Sequence, residues 1–358
     1  MDQQTAMMKK LSEVDGVAGD EYAVREVMNQ YLEGISEEIV TDHLGSVLGV
    51  KKGVENGPKI LLAGHMDEVG FMVSRITKQG FLKFQQLGGW WPHTLLSQRV
   101  KIRTKNGDVV GIIGSKPPHI LTPEEREKVV PLKDLYIDIG AKDKEEAEEM
   151  GVLPGDSIVP CSEFFTMGKG DLWVGKAIDN RIGCALAIEV LADLQDKAHP
   201  NVIYAGATVQ EEVGLRGAAT MANLVEPDIA FALDVGVAYD TPGLESHEGP
   251  RVGEGPTVVL LDSSMVSHVG LRRLVVETAK EIGVPLQFEI SMGGGTDAGK
   301  FHVNGKGCPS LAIGFATRYI HSHQAVASRS DFMAAKKLLL AVIEKLDWET
   351  VRKLQTKG

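Results

Sequence analysis

Several short runs of this chain end on side chains that bind metals or move protons. The apolar run Lys59 to Gly64 delivers His65 and, two residues on, Asp67. Val202 to Val209 delivers Glu211 and Glu212, Ile229 to Leu233 delivers Asp234, and Leu311 to Phe315 leads towards His321 and His323. Asp179 closes the Lys176-Ala177-Ile178 run just ahead of a helical segment. In an open α/β sheet the functional crevice lies beyond the carboxyl ends of the strands, so these residues can meet there. A single Asp or Glu after a strand is more often a helix cap or a solvated loop residue. Many carboxylates in one crevice are another matter, because their repulsion must be offset by cations. Imidazole and carboxylate ligands without thiolate suit zinc, cobalt or manganese better than copper or an iron–sulfur cluster.

Spacing refines this. His65 and Asp67 are two apart, hence on one side of an extended chain, which predicts that Asp67 accepts a hydrogen bond from the imidazole. The competing reading, a core histidine with a surface aspartate, carries equal weight. Glu211 and Glu212 are adjacent, and neighbours in an extended segment point apart, so one is expected to hold metal while the other faces an activated water. The loop Gly294-Gly295-Thr296-Asp297-Ala298-Gly299-Lys300 matches seven places of a P-loop, but Phe301 stands where Ser or Thr would bind magnesium, and Asp297 would repel phosphate. Gly294, Gly295, Thr296 and Asp297 are instead candidates for close backbone approach to a substrate. Arg318 and His321 are further candidates for a substrate pocket. Arg318 would favour acidic amino termini, though a structural arginine with a carboxylate partner fits equally well. Trp90 and Trp91 read as domain-packing aromatics and His119 as a solvated loop histidine.

The elements that must position these groups follow from periodicity. Leu11, Val24, Val27, Met28 and Leu32 mark two helices broken at Gly16 to Gly19. From Phe71 to Pro160 short strand-like runs alternate with glycine turns, Asn106-Gly107 being a hairpin signal and Lys142 to Met150 the one helical stretch. Within that region the proline- and charge-rich residues Pro117 to Lys133 read as an exposed loop. After Trp173, helices (Asn180 to Gln195, Val269 to Ile282, Phe332 to Leu346) alternate with buried strands. The prediction is a three-layer α/β/α domain with a mixed, mostly parallel sheet, formed by residues 1–67 and 160–358 and interrupted by a small, barrel-like β-rich domain at 68–159.

Composition excludes other classes. The formal net charge of -11 and the lack of a basic run argue against nucleic acid. With 43% hydrophobic and 24% charged residues over 358 positions the chain is an ordinary folded protein. No apolar stretch reaches membrane-spanning length, the opening MDQQTAMMKK is polar, and the three cysteines are scattered, which together predict a cytoplasmic protein without a membrane partner.

Five motifs carry a family resemblance: Gly64-His65-Met66-Asp67-Glu68-Val69-Gly70-Phe71, Ala177-Ile178-Asp179-Asn180-Arg181, Gln210-Glu211-Glu212-Val213-Gly214, Gly294-Gly295-Thr296-Asp297 and Arg318-Tyr319-Ile320-His321-Ser322-His323. Together they resemble the dinuclear aminopeptidases that include glutamyl aminopeptidases and the tetrahedral, self-compartmentalising aminopeptidases. The resemblance implies two divalent ions per subunit, zinc or cobalt with manganese as an option. It implies His65 and Asp234 on one ion, Glu212 and His323 on the other, Asp179 between them, and Glu211 as general base, with Asp67 beside them in the catalytic group. It further implies peptide substrates, a β-rich dimerisation insert, and homo-oligomers built from dimers, up to hollow dodecamers. The alternatives are an amidohydrolase or deacylase using the same ions on a non-peptide amide, a peptide-binding protein that has lost catalysis, and a carbohydrate hydrolase, which 6% aromatic content disfavours.

Overall fold

A computed structural model describes residues 1–357. Helices Gln3–Glu13 and Tyr22–Leu32 come first, with Asp2 capping the former by accepting from the Thr5 amide. Strands β1 (Glu38–Thr41), β2 (Val47–Lys52) and β3 (Lys59–His65) then enter the main sheet. Six strands follow outside it: β4 (Gly70–Ile76), β5 (Leu82–Leu87), β6 (Arg99–Thr104), β7 (Gly107–Gly114), β8 (Tyr136–Asp138) and β9 (Ser157–Pro160). They close into an antiparallel barrel in the order β4-β5-β8-β7-β6-β9, filled by its own core of Phe71, Leu82, Val100, Ile102, Ile137 and Ile158. Asn106 and Gly107 sit at the β6–β7 turn, where Thr104 pairs with Gly107. Residues 117–133 are mostly exposed and carry the short helix Pro123–Arg126.

Beyond the barrel, β10 (Phe165–Met167) and β11 (Leu172–Gly175) lead to the long helix Ile178–Asp193. Strands β12 (Val202–Thr208), β13 (Ile229–Val237), β14 (Thr257–Asp262), β15 (Gln287–Ser291) and β16 (Ser310–Thr317) complete the main sheet, and β17 (Ala325–Ser328) pairs back on β11. The eight-stranded order is β1-β2-β12-β3-β13-β16-β14-β15. β12, β3, β13 and β16 run parallel; β2 pairs antiparallel with β12 and with β1, and β14 pairs antiparallel with β16 and parallel with β15. Central strands are buried on both faces, which explains their unbroken apolar sequences. One face packs Ile178–Asp193, Val269–Ile282, Arg329–Lys345 and the two N-terminal helices, and the other packs Arg216–Val225 and Ala298–Phe301, giving three layers. No helix among the described residues is long and apolar enough to cross a membrane.

The candidate active site

Parallel pairing brings the carboxyl ends of β3, β12, β13 and β16 to one edge of the sheet. There His65 at the end of β3, Asp179 at the start of its helix, Glu211 and Glu212 after β12, Asp234 in β13 and His321 after β16 line one cavity of about 610 Å³. The helix bearing Asp179 approaches β3 closely because Gly64 lacks a side chain: a Cβ there would come within 2.5 Å of the Cys184 nitrogen. Asn180 anchors the turn by donating 2.7 Å to the Leu233 carbonyl, next to Asp234. The buried Arg181 guanidinium donates to the carbonyls of Met66, Leu11 and Val14 at 2.6, 2.6 and 2.8 Å, tying the loop after β3 to the first helix.

The ligand-type atoms cluster tightly. His65 Nε2 lies 3.1 Å from Asp179 Oδ1 and 3.8 Å from both Glu211 Oε2 and Asp234 Oδ1. His321 Nε2 lies 3.2 Å from Asp179 Oδ2 and 3.3 Å from Glu212 Oε1. Three triads, His65/Asp179/Asp234, His65/Glu211/Glu212 and Asp179/Glu212/His321, each bring their donor atoms within 4.8 Å of one another. Asp179 faces both imidazoles.

Four expectations need correction. His323 does not join the cluster. Tyr319 and His321 adopt left-handed backbone (φ 59° and 55°), so the chain turns between His321 and His323 and sends the two rings in different directions. His323 lies buried against Trp90, ring centroids 5.4 Å apart, and its burial pushes the imidazole down to about 4. The Asp67 carboxylate is not the hydrogen-bond acceptor of the His65 ring: the imidazole Nδ1 contacts the Asp67 backbone carbonyl at 2.9 Å and stands 3.6 Å from the carboxylate, which accepts the amides of Glu211 and Glu212 at 2.9 and 3.0 Å. Glu211 and Glu212 do not point apart, because left-handed Gln210 (φ 55°) starts a turn that presents both to one cavity, one towards each imidazole. Arg318 is engaged elsewhere, donating to both carboxylate oxygens of Asp240 at 2.8 and 2.6 Å, and does not line the cavity.

The remaining candidates divide. Gly294, Gly295 and Thr296 line the cavity wall. Asp297 is buried beneath it, accepts from the Thr208 hydroxyl, and is pushed up to about 7 by burial. Trp90 stacks on Phe71 in the barrel core, whereas Trp91 is exposed. Sequence reasoning passed over Lys176, whose buried ammonium pairs with Glu68 and with Asp15 at 3.0 Å and braces the strand leading to Asp179.

Electrostatics show what the cluster lacks. Burial raises the Glu211 and Asp234 carboxyls well above their ordinary range, with neighbouring carboxylates adding to the shift. Burial would lower the His65 imidazole, but the carboxylates of Glu211, Asp179 and Asp67 outweigh it and hold the ring well above its usual value. His321 behaves alike and reaches about 11 beside Asp179 and Glu212. No Lys or Arg lines the cavity among the described residues. A site with four carboxylates and two imidazoles, crowded enough to seize protons, has the donor chemistry for divalent cations.

A family model for M42 glutamyl aminopeptidases matches residues 45–338, and a second model, AMPT, matches residues 2–28. The chain belongs to the M42 glutamyl aminopeptidase family. It is a metallo-aminopeptidase, a hydrolase acting on peptide bonds. It is 37% identical over 351 residues to the glutamyl aminopeptidase of Lactococcus lactis subsp. cremoris (strain MG1363), covering 97% of this chain and 98% of the relative. Its structure resembles that of a TET aminopeptidase from the marine sediment archaeon Thaumarchaeota archaeon SCGC AB-539-E09, at 48% identity and a TM-score of 0.96, covering 99% of this chain and 100% of that one. It also resembles Pyrococcus horikoshii TET1 peptidase, which can assemble into a tetrahedron or a large octahedral shell (32% identity, TM-score 0.86, 96% and 100% covered).

Proposed function

We propose that this M42 enzyme removes N-terminal residues from peptides with two divalent ions and Glu211 as general base. The observation that carries the reading is the pair of imidazoles facing a shared Asp179 within a cation-free ring of carboxylates. His65, Asp179 and Asp234 would hold one ion, and Asp179, Glu212 and His321 the other. Zinc or cobalt suits this donor set best, with manganese as an option. When bound, such ions polarise the scissile carbonyl and lower the pKa of an attacking water. Glu211 takes that water's proton and passes it to the leaving amine. Asp67 is a positioning residue, fixing the backbone of the Glu211–Glu212 turn through its two accepted amides. The Asp67 carbonyl fixes the His65 ring through Nδ1 and leaves Nε2 turned to the cavity.

The experiment is to strip the enzyme with a chelator, reload it with zinc or cobalt, and assay aminoacyl and N-acyl chromogenic substrates side by side. Metal-restored cleavage of aminoacyl substrates supports the reading. Cleavage confined to N-acyl amides would make it a deacylase. An acidic N-terminal preference would need a cation in the cavity, and Arg318 is already paired with Asp240. We place the enzyme in the cytoplasm, in keeping with three free cysteines, Cys161, Cys184 and Cys308. A dodecamer built from dimers is our reading: the solved dodecamer of a TET1 relative supports the dodecamer, and outward apolar residues on the barrel, with Val110 and Ile112 half exposed on β7, support the dimer.

A further inference from the structure

The cavity extends past the acid cluster to a second region between β13 and the β14–β15 pair. β14 pairs with β16 at only two positions, Thr257 with Gly314 and Val258 with Ile313, and the rest of β14 has no partner in β16. Val235, Gly236 and Val237 line one side of the opening, and Val259, Asp262 and Glu289 the other. Glu289 is 6% exposed, and its Oε2 has no hydrogen-bond partner among the described residues. The carboxylate sits against Gly236, where a Cβ would come within 1.9 Å of Oε2, so the missing side chain makes its seat. Asp262, the neighbouring carboxylate, is occupied differently: its Oδ1 accepts the amides of Ser264 and Met265 at 2.6 and 2.7 Å. No Lys or Arg of the lining answers Glu289. Burial pushes its carboxyl up to about 7, against the opposing Val237 amide and with Asp262 adding.

A buried carboxylate with one oxygen unsatisfied and no cation beside it is unfavourable unless a cation meets it. We infer that Glu289 selects peptides whose N-terminal side chain ends in a cation, lysine in the first place, by pairing with the side-chain ammonium; this rests on the aminopeptidase reading of the same site. Gly236, against which the Glu289 carboxylate sits, lies two residues beyond Asp234 on the same strand face, roughly 6.6 Å further along, a spacing of the order of an extended lysine side chain. Val235, Val237 and Val259 offer apolar surface for its methylene stem, and Glu289 takes its head. A glutamyl side chain would meet two carboxylates in the same place.

The test compares lysyl, norleucyl and glutamyl p-nitroanilides with the zinc- or cobalt-loaded enzyme. Norleucine has the lysine stem without the amine. The lysyl substrate is expected to exceed the norleucyl one tenfold or more in kcat/KM, with the glutamyl substrate poorest. In Glu289→Gln the lysyl-to-norleucyl ratio should fall towards one, chiefly through KM, which a merely structural role for Glu289 would not produce. Free lysine should inhibit the unmodified enzyme more strongly than free norleucine, a comparison independent of the variant's folding. Equal use of lysyl and norleucyl substrates, or a ratio preserved in Glu289→Gln, overturns the inference while leaving the aminopeptidase reading intact. Failure to cleave any aminoacyl substrate overturns both.

Discussion

Glu211 and Glu212 are joined by one peptide bond yet serve different imidazoles, and that division sets the residue-scale expectations. Glu211→Gln should keep both metals by elemental analysis and lose about a hundredfold or more in turnover; near-normal turnover would remove Glu211 from its role. His321→Ala should lose metal, with stoichiometry falling from two per chain, whereas His323→Ala should retain it, because His321 alone of the pair approaches Asp179 and Glu212. Metal loss on the opposite variant would reverse the assignment. Residue types were legible in the sequence: His65, Asp179, Glu211, Glu212 and Asp234 all reach one cavity. The His321 and His323 choice was not, since it depends on left-handed turns at Tyr319 and His321, positions where no glycine or asparagine gives a signal. The choice between the two readings of Arg318 was closed to the sequence for a related reason, its partner Asp240 lying 78 positions away in the chain.

At the scale of elements, buried runs such as β3 and β16 announce themselves because both faces are apolar. β1 is short and half exposed at the sheet edge, and β10, β11 and β17 span three or four residues each, too few to show a period. The ionic tie between elements was equally hidden. Asp15, in the loop between the first two helices, reaches Lys176 ahead of the Asp179 helix and Lys101 on barrel strand β6. Burial would raise its carboxyl, but Lys176 and Lys101 outweigh burial and hold it below the ordinary value. The ionised form therefore stabilises the fold above the usual aspartate range, and that contribution is lost as pH falls through the lowered value. Asp15→Asn should destabilise the protein by roughly 2–4 kcal/mol at pH 7. Thermal unfolding should show the gap from the unmodified protein narrowing at pH 3, and a gap independent of pH would assign the loss to packing.

For the whole molecule, the three-layer sandwich with an inserted β-barrel was readable because the change from helix–strand alternation to glycine-punctuated strands begins just after β3 and ends near β9. Assembly was not readable from order alone, since it depends on which surface residues come together. Light scattering should give a particle about twelve times the 38.7 kDa chain, and Val110→Asp with Ile112→Asp should break it down if the barrel face forms the dimer. A monomer from the unmodified chain would contradict the assembly.

If these acidic and imidazole groups form a cage for paired cations, anomalous diffraction from crystals grown with zinc will show it most directly. Two peaks should appear, one among His65, Asp179 and Asp234 and one among Asp179, Glu212 and His321. A cavity without peaks, or a peak on His323 instead, would contradict it.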